Sequence, residues 1–118
     1  MEKTKNNTGL KLQVAINYGS RAEIVNAVKE IAKKLQSGEM KIDDISPEII
    51  SENLLTKNIP DPELLIRTGG EQRISNYLLW QSAYTEFYST EALWPAFDEK
   101  ELDKAIDEYN KRQRRFGV

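Results

Sequence analysis

An almost wholly apolar run, Leu64-Leu65-Ile66, passes directly into Arg67-Thr68-Gly69-Gly70. No other stretch limits the fold as much. A strand without polar alternation belongs in the interior of a parallel sheet, where both faces are covered. Pro60 and Pro62 keep the approach to residues 63–66 extended, because the residue before a proline avoids the helical region. The glycine pair turns the chain, since glycine takes positive φ without steric cost. Ligands of open α/β sheets collect just past such strand ends. Arg67, Arg73 and Ser75 fall within nine residues there. Guanidinium forks suit phosphate oxygens, and exposed N–H groups of a glycine turn offer a second cradle. Spacing alone leaves two readings open. The loop is a phosphate or diphosphate site, or it is a polar loop whose arginines pair with Glu63 and Glu71.

Patterning elsewhere agrees with an α/β chain: a parallel-type sheet flanked by helices, in one domain over residues 1–118. The first eight residues are polar and read as a frayed start. Leu10, Leu12, Val14 and Ile16 then alternate with Lys11, Gln13, Ala15 and Asn17, which predicts a strand over residues 10–16. Ser20 is placed to cap the following helix, with Glu23 completing a capping box. Ile24, Ala27, Val28, Ile31 and Leu35 recur at helical spacing, and Gly38 ends the helix. Ser46-Pro47-Glu48 signals a second helix start. Residues 76–82 read as a short helix capped by Ser75 or Asn76, and residues 85–90 as a strand. Asp98 with Glu101 opens a last helix, whose apolar stripe is Leu102, Ala105, Ile106 and Tyr109. It ends in Lys111-Arg112-Gln113-Arg114-Arg115, which suits the negative end of the helix dipole. Asn17 and Arg21 sit where strand hands over to helix, a place that binds anions, although the residues alone favour a turn asparagine with a surface arginine.

Composition narrows the chemistry. There is no histidine and no cysteine in 118 residues. That removes Ser-His-Asp triads, imidazole or thiolate metal sites and disulfides, and it suits a reducing cytoplasm. A net charge of −2 gives no general attraction to nucleic acid or an anionic membrane. No apolar run approaches the roughly 20 residues of a membrane span.

The stretch Arg67-Thr68-Gly69-Gly70-Glu71-Gln72-Arg73-Ile74-Ser75-Asn76 resembles the signature of the cis-prenyltransferases, and within them that of the bacterial undecaprenyl diphosphate synthases. Ala83-Tyr84-Thr85-Glu86-Phe87-Tyr88, Leu93-Trp94-Pro95-Ala96-Phe97-Asp98, Asn17-Tyr18-Gly19-Ser20-Arg21 and the ending Arg114-Arg115-Phe116-Gly117 resemble that family too. The likeness covers nearly the whole chain but only the C-terminal half of the family's sequence. It implies a Mg²⁺-dependent transferase that joins isopentenyl diphosphate to an allylic diphosphate, acting in the cytoplasm as a homodimer on the way to a membrane lipid.

By the same resemblance, Arg67, Arg73 and Ser75 hold the diphosphate of isopentenyl diphosphate. Glu86 helps hold Mg²⁺, while Arg115 and Gly117 belong to a terminal motif that reaches the partner's diphosphate site. Gln72 stands where bacterial members carry histidine, and it cannot carry a titrating proton. The aromatics Tyr77, Trp80, Tyr84, Phe87, Tyr88 and Trp94 are expected in the core or at the dimer contact. The family's Asp-Gly-Asn-Gly-Arg-type motif does not occur, so no catalytic residue is assigned, and this chain alone is expected to be inactive. The rival expectation is a non-catalytic diphosphate-binding or partner subunit. A phosphatase or kinase fits poorly, for want of an aspartate pair or a Walker loop.

Overall fold

A computed structural model describes residues 2–112. The elements run α1 (Ser20–Ser37), α2 (Pro47–Glu52), β1 (Leu64–Arg67), β2 (Glu86–Ser89) and α3 (Glu99–Lys111), with 3-10 turns at Glu2–Thr4, Ile42–Asp44 and Trp94–Ala96. β1 and β2 pair in parallel, with Leu64 opposite Glu86 and Arg67 opposite Ser89. The ladder continues at both ends. The Glu86 amide donates to Glu63 O at 3.0 Å, and that of Thr90 to Arg67 O at 2.9 Å. The architecture is the expected one, helices around a parallel sheet, in partial form.

The helices begin where local chemistry dictates, with one exception. Ser46 caps α2 by accepting from the Ile49 amide at 3.4 Å, and Asp98 caps α3 by accepting from that of Glu101 at 3.1 Å. Gly38, at φ 78°, closes α1 as a left-handed terminator. At the start of α1 the expected Ser20 cap gives way. Gly19 takes the cap position, and the first free amides are satisfied from a distance. Ser20 N donates to Asn76 O and Arg21 N to Asn76 Oδ1, both at 2.9 Å. Ser20 is buried and accepts from Leu79 N at 2.9 Å. With those amides engaged, the anion reading of this helix start loses two of its donors.

Glu23 does not complete a capping box either. Its carboxylate is buried, with 3% of the residue exposed, and three elements converge on it. Oε1 accepts from the Tyr18 hydroxyl and from Gln81 Nε2 at 2.9 Å, while Oε2 accepts from Leu55 N at 3.0 Å. Gln81 Nε2 also donates to Thr56 Oγ1 at 2.8 Å. A buried carboxylate needs such donors, and this set ties α1 to the segment after α2 and to the turns after β1.

Two expected elements differ. Residues 76–82 form consecutive turns rather than a helix, because Ser75, Asn76 and Leu78 take φ values of 48°, 64° and 47°, outside the right-handed helical region. Residues 10–16 are not a strand. They have the pattern but no strand partner among the described residues, and Leu10, Leu12, Val14 and Ile16 are 93, 80, 72 and 83% exposed. Burying four such side chains is worth on the order of 6–12 kcal/mol, comparable to the whole stability of a small domain. β1, expected in a sheet interior, is one edge of a two-stranded sheet.

The same shortfall shows globally. The chain exposes 9876 Å², against about 6,600 Å² for a compact protein of this mass. Its radius of gyration is 17.6 Å, against about 13.5 Å. The buried apolar residues among those described are Ala27, Ile31, Leu54 and Ala105.

Burial and the bond to Glu23 hold the Tyr18 hydroxyl above its ordinary pKa of 10.0. The folded-state pKa therefore lies above the unfolded one. Tyr18 contributes its stability fully below pH 10 and loses it as pH rises through the folded value. Denaturant midpoints should accordingly fall above pH 10, with a shallower fall in Tyr18→Phe. Parallel curves for the two proteins would contradict this.

Candidate functional site

β1 carries Arg67 out of the sheet at its C-terminal end, and the turn beyond it takes the positive φ the glycines permit, 79° at Gly69 and 71° at Gly70. The turn is pinned across the sheet. Gly69 N donates to Ala92 O at 2.9 Å and Gly70 N to Thr90 O at 2.8 Å. These two amides are thus spent on the backbone and do not cradle an anion, contrary to the sequence expectation. Pinning them holds the loop that follows at a set height above β1.

That loop folds back over one face of the sheet. Residues opposite each other in a parallel pair share a face, and faces alternate along a strand. Leu65, Arg67, Phe87 and Ser89 form one face and, with Glu71, Gln72 and Arg73 of the loop, line a cavity of about 260 Å³. Arg67 and Arg73 therefore address one space. Arg73 Nη1 lies 2.7 Å from Glu71 Oε2, in a largely exposed pair of the kind worth at most about 1 kcal/mol. The loop's bland alternative is thus realised for Arg73 and Glu71, yet at a strength an incoming diphosphate can exceed.

The remaining candidates are placed differently. Ser75 is exposed and does not line the cavity. Glu86 lies on the opposite face, where α3 runs along β2. There Arg112 Nη1 donates to Glu86 Oε2 at 3.0 Å and to Phe87 O at 2.7 Å. Among the described residues no group of three or more His, Cys, Asp or Glu is gathered to hold a metal. One carboxylate held by Arg112 is at most a partial donor set for Mg²⁺, whose sphere phosphate oxygens and water would have to complete. Arg115 and Gly117 lie outside the described residues. No described helix is long and apolar enough to cross a membrane.

With this geometry in place, comparison decides the family. A sequence model described as "Putative undecaprenyl diphosphate synthase" matches residues 1–117. The chain belongs to the undecaprenyl diphosphate synthase family of isoprenyl transferases. It is 58% identical over 116 residues to an isoprenyl transferase of Staphylococcus haemolyticus, covering 98% of this chain and 45% of the relative. It is 52% identical over 117 residues to one of Oceanobacillus iheyensis, covering 99% and 46%. A crystal structure of lavandulyl diphosphate synthase from Lavandula x intermedia, in complex with dimethylallyl diphosphate, superposes with a TM-score of 0.85 at 44% identity, covering 88% of this chain and 45% of that one. A probable undecaprenyl diphosphate synthase from Campylobacter jejuni gives 0.77 at 36%, covering 99% and 52%. The chain thus spans about half the length of the family members it matches, as the resemblance to one half of the family's sequence implied.

Several residues that shape the site escape a reading of spacing. Asn76 caps α1 from 55 positions away, and only the turn-forming Ser75-Asn76 pair hints at it. Arg112 is one of several cations in a basic run, so sequence does not single it out as the partner of Glu86. Glu91 stands over the turn, where a Cβ added to Gly70 would meet its Oε2 at 2.5 Å.

Gly70 is therefore restricted by its positive φ, while the exposed Glu91 carboxylate can swing aside. Gly70→Ala should destabilise the chain by about 1–2 kcal/mol, while Gly9→Ala, with nothing within 4 Å of the new Cβ, should be near neutral. Urea denaturation of both variants checks this. Equal midpoints would show that the turn relaxes without cost.

Proposed function

We propose that this chain carries the isopentenyl diphosphate site of a Mg²⁺-dependent isoprenyl transferase, which condenses isopentenyl diphosphate with an allylic diphosphate and releases diphosphate. The observation that carries the reading is the convergence of Arg67 and Arg73 on one cavity at the C-terminal end of parallel strand β1. Two planar forks approaching from the strand end and from the loop match a compact polyanion, whose recognition rests on charge-assisted donors rather than apolar area. Ser75, two residues beyond Arg73, stands outside the cavity and would add its hydroxyl only if the loop closed over the anion. Glu71 holds Arg73 until the anion arrives.

Magnesium held through Glu86 would neutralise charge on the diphosphate that leaves. The rest of this chain's share is binding: fixing the homoallylic substrate by its diphosphate so that its carbon chain points away from the arginines. Arg115 and Gly117 would add donors from a second copy in a homodimer. The allylic diphosphate needs a further site, for which the sequence holds no Asp-Gly-Asn-Gly-Arg-type motif, so this chain by itself binds without turning over. A second reading is a diphosphate-binding partner subunit that leaves catalysis to another chain. Both readings require the arginine cavity.

Arg73→Ala should weaken the binding of isopentenyl diphosphate by about 1.5–3 kcal/mol, the worth of a charge-assisted hydrogen bond. Lys33→Ala, on the exposed side of α1 and paired with Glu30, should leave it unchanged. Calorimetric titration separates the two. Parental affinity in Arg73→Ala would return the loop to a purely structural role.

A further inference from the structure

The end of the sheet away from the arginine cavity carries a groove of about 530 Å³ that the diphosphate reading does not use. α2 supplies one wall with Glu48, Ser51 and Glu52, and the chain entering β1 and β2 supplies the other with Asp61, Trp80 and Tyr84. Trp80 is set against α2, its Nε1 donating to Ser51 Oγ at 3.0 Å, and Tyr84 is 68% exposed. Glu48, Glu52 and Asp61 are exposed too, and no lysine or arginine among the described residues pairs with any of them. Carboxylates beside aromatic faces suit a cation with an apolar stem, arginine above all.

A fitting segment begins at the same end of the sheet. α3 runs antiparallel to β2, from the bond of Thr90 Oγ1 to Glu101 Oε2 back to Arg112, whose Nη1 donates to Glu86 Oε2 and Phe87 O. Arg112 is thus held where β2 starts, two residues after Tyr84. Thr85 Oγ1 donates to Pro62 O at 2.7 Å, which places Asp61 beside that start. Beyond Arg112 come Gln113-Arg114-Arg115-Phe116-Gly117-Val118, outside the described residues, a length that reaches up to about 20 Å. We infer that this end of the chain docks in the groove of its own molecule, with Arg114 and Arg115 on the carboxylates and Phe116 against the rings. Charge decides the match, since two guanidinium groups meet three carboxylates that no other described cation claims. Each exposed pair is weak, but the tether keeps the tail at a high effective concentration, so weak pairs suffice. Docked there, Arg115 is withheld from any diphosphate, and the groove sets how often the tail is free to act elsewhere. The docking itself does not depend on the reading of the arginine cavity.

The chain has no cysteine, so Val118→Cys accepts a single nitroxide label, and paramagnetic broadening in the ¹⁵N-labelled full chain reports where the tail goes. Broadening is expected at the Glu48, Glu52 and Asp61 amides and at the Trp80 indole N–H. The tether alone brings the label near, so the deciding comparison is with two double variants of the labelled chain, Arg114→Gln/Arg115→Gln and Glu48→Gln/Glu52→Gln. Each should cut the broadening about two- to fivefold, the range that exposed ion pairs set. Lys29→Gln/Lys33→Gln, which removes the same charge from the exposed side of α1, should leave it unchanged. No broadening at the groove, or equal broadening in the parent and both double variants, overturns the inference. A mixture of ¹⁵N-labelled chain without nitroxide and nitroxide-labelled chain without ¹⁵N separates the two ways of docking. Groove broadening as strong in that mixture would assign the groove to the tail of a second copy and overturn docking within one molecule.

Discussion

The buried carboxylate of Glu23 is the interaction on which the rest of the chain depends. Placing it out of water is costly unless donors surround it, and the donors come from three separate segments: Tyr18 before α1, Leu55 after α2 and Gln81 in the turns after β1. With Ala27, Ile31, Leu54 and Ala105 as the buried apolar set among the described residues, hydrophobic packing is too thin to orient these segments by itself. The Glu23 contacts and the Asn76 cap on α1 together hold residues 75–84 against the helix. That placement fixes one end of the loop carrying Arg73, while the glycine amides bonded to Thr90 and Ala92 fix the other. The loop that carries Arg73 is thus positioned by polar contacts at both ends.

Such an arrangement leaves much apolar surface uncovered. Residues 10–16 present an apolar row to solvent, and β1 has an unpaired edge among the described residues. An extended apolar segment and an open strand edge both invite other chains. The relatives are about twice as long, and surface of this kind is what a larger assembly of the fold would cover.

Much of this was legible in the residues. The spacing of Ala27 and Ile31, the glycine at position 38 and the caps Ser46 and Asp98 are local signals, and local chemistry formed those elements. The apolar run before Arg67 marked β1 to within one residue, and Arg-Thr-Gly-Gly marked the turn beyond it. The failures share a cause, which is that the deciding partner is remote in sequence. Residues 10–16 have strand periodicity, but a strand exists only where a neighbour accepts its hydrogen bonds. Ser20 and Glu23 have capping-box spacing, yet Leu79, Leu55 and Gln81 claimed their side chains. The amides of Gly69 and Gly70 looked available for phosphate until β2 brought carbonyls to them. Glu86 carried a family role that says nothing of Arg112, because that pairing depends on how α3 lies along the strand.

What joins fold to function is the claim that Arg67 and Arg73, brought over one cavity by a pinned turn, hold a diphosphate. Mapping ¹⁵N amide shifts during titration with isopentenyl diphosphate tests it most directly. The account predicts saturable shifts confined to residues 66–75 and to Phe87, Tyr88 and Ser89 on the cavity wall, with the exposed amides of α1 unmoved. Shifts centred on the start of α1, or spread evenly over basic surface residues, would contradict it.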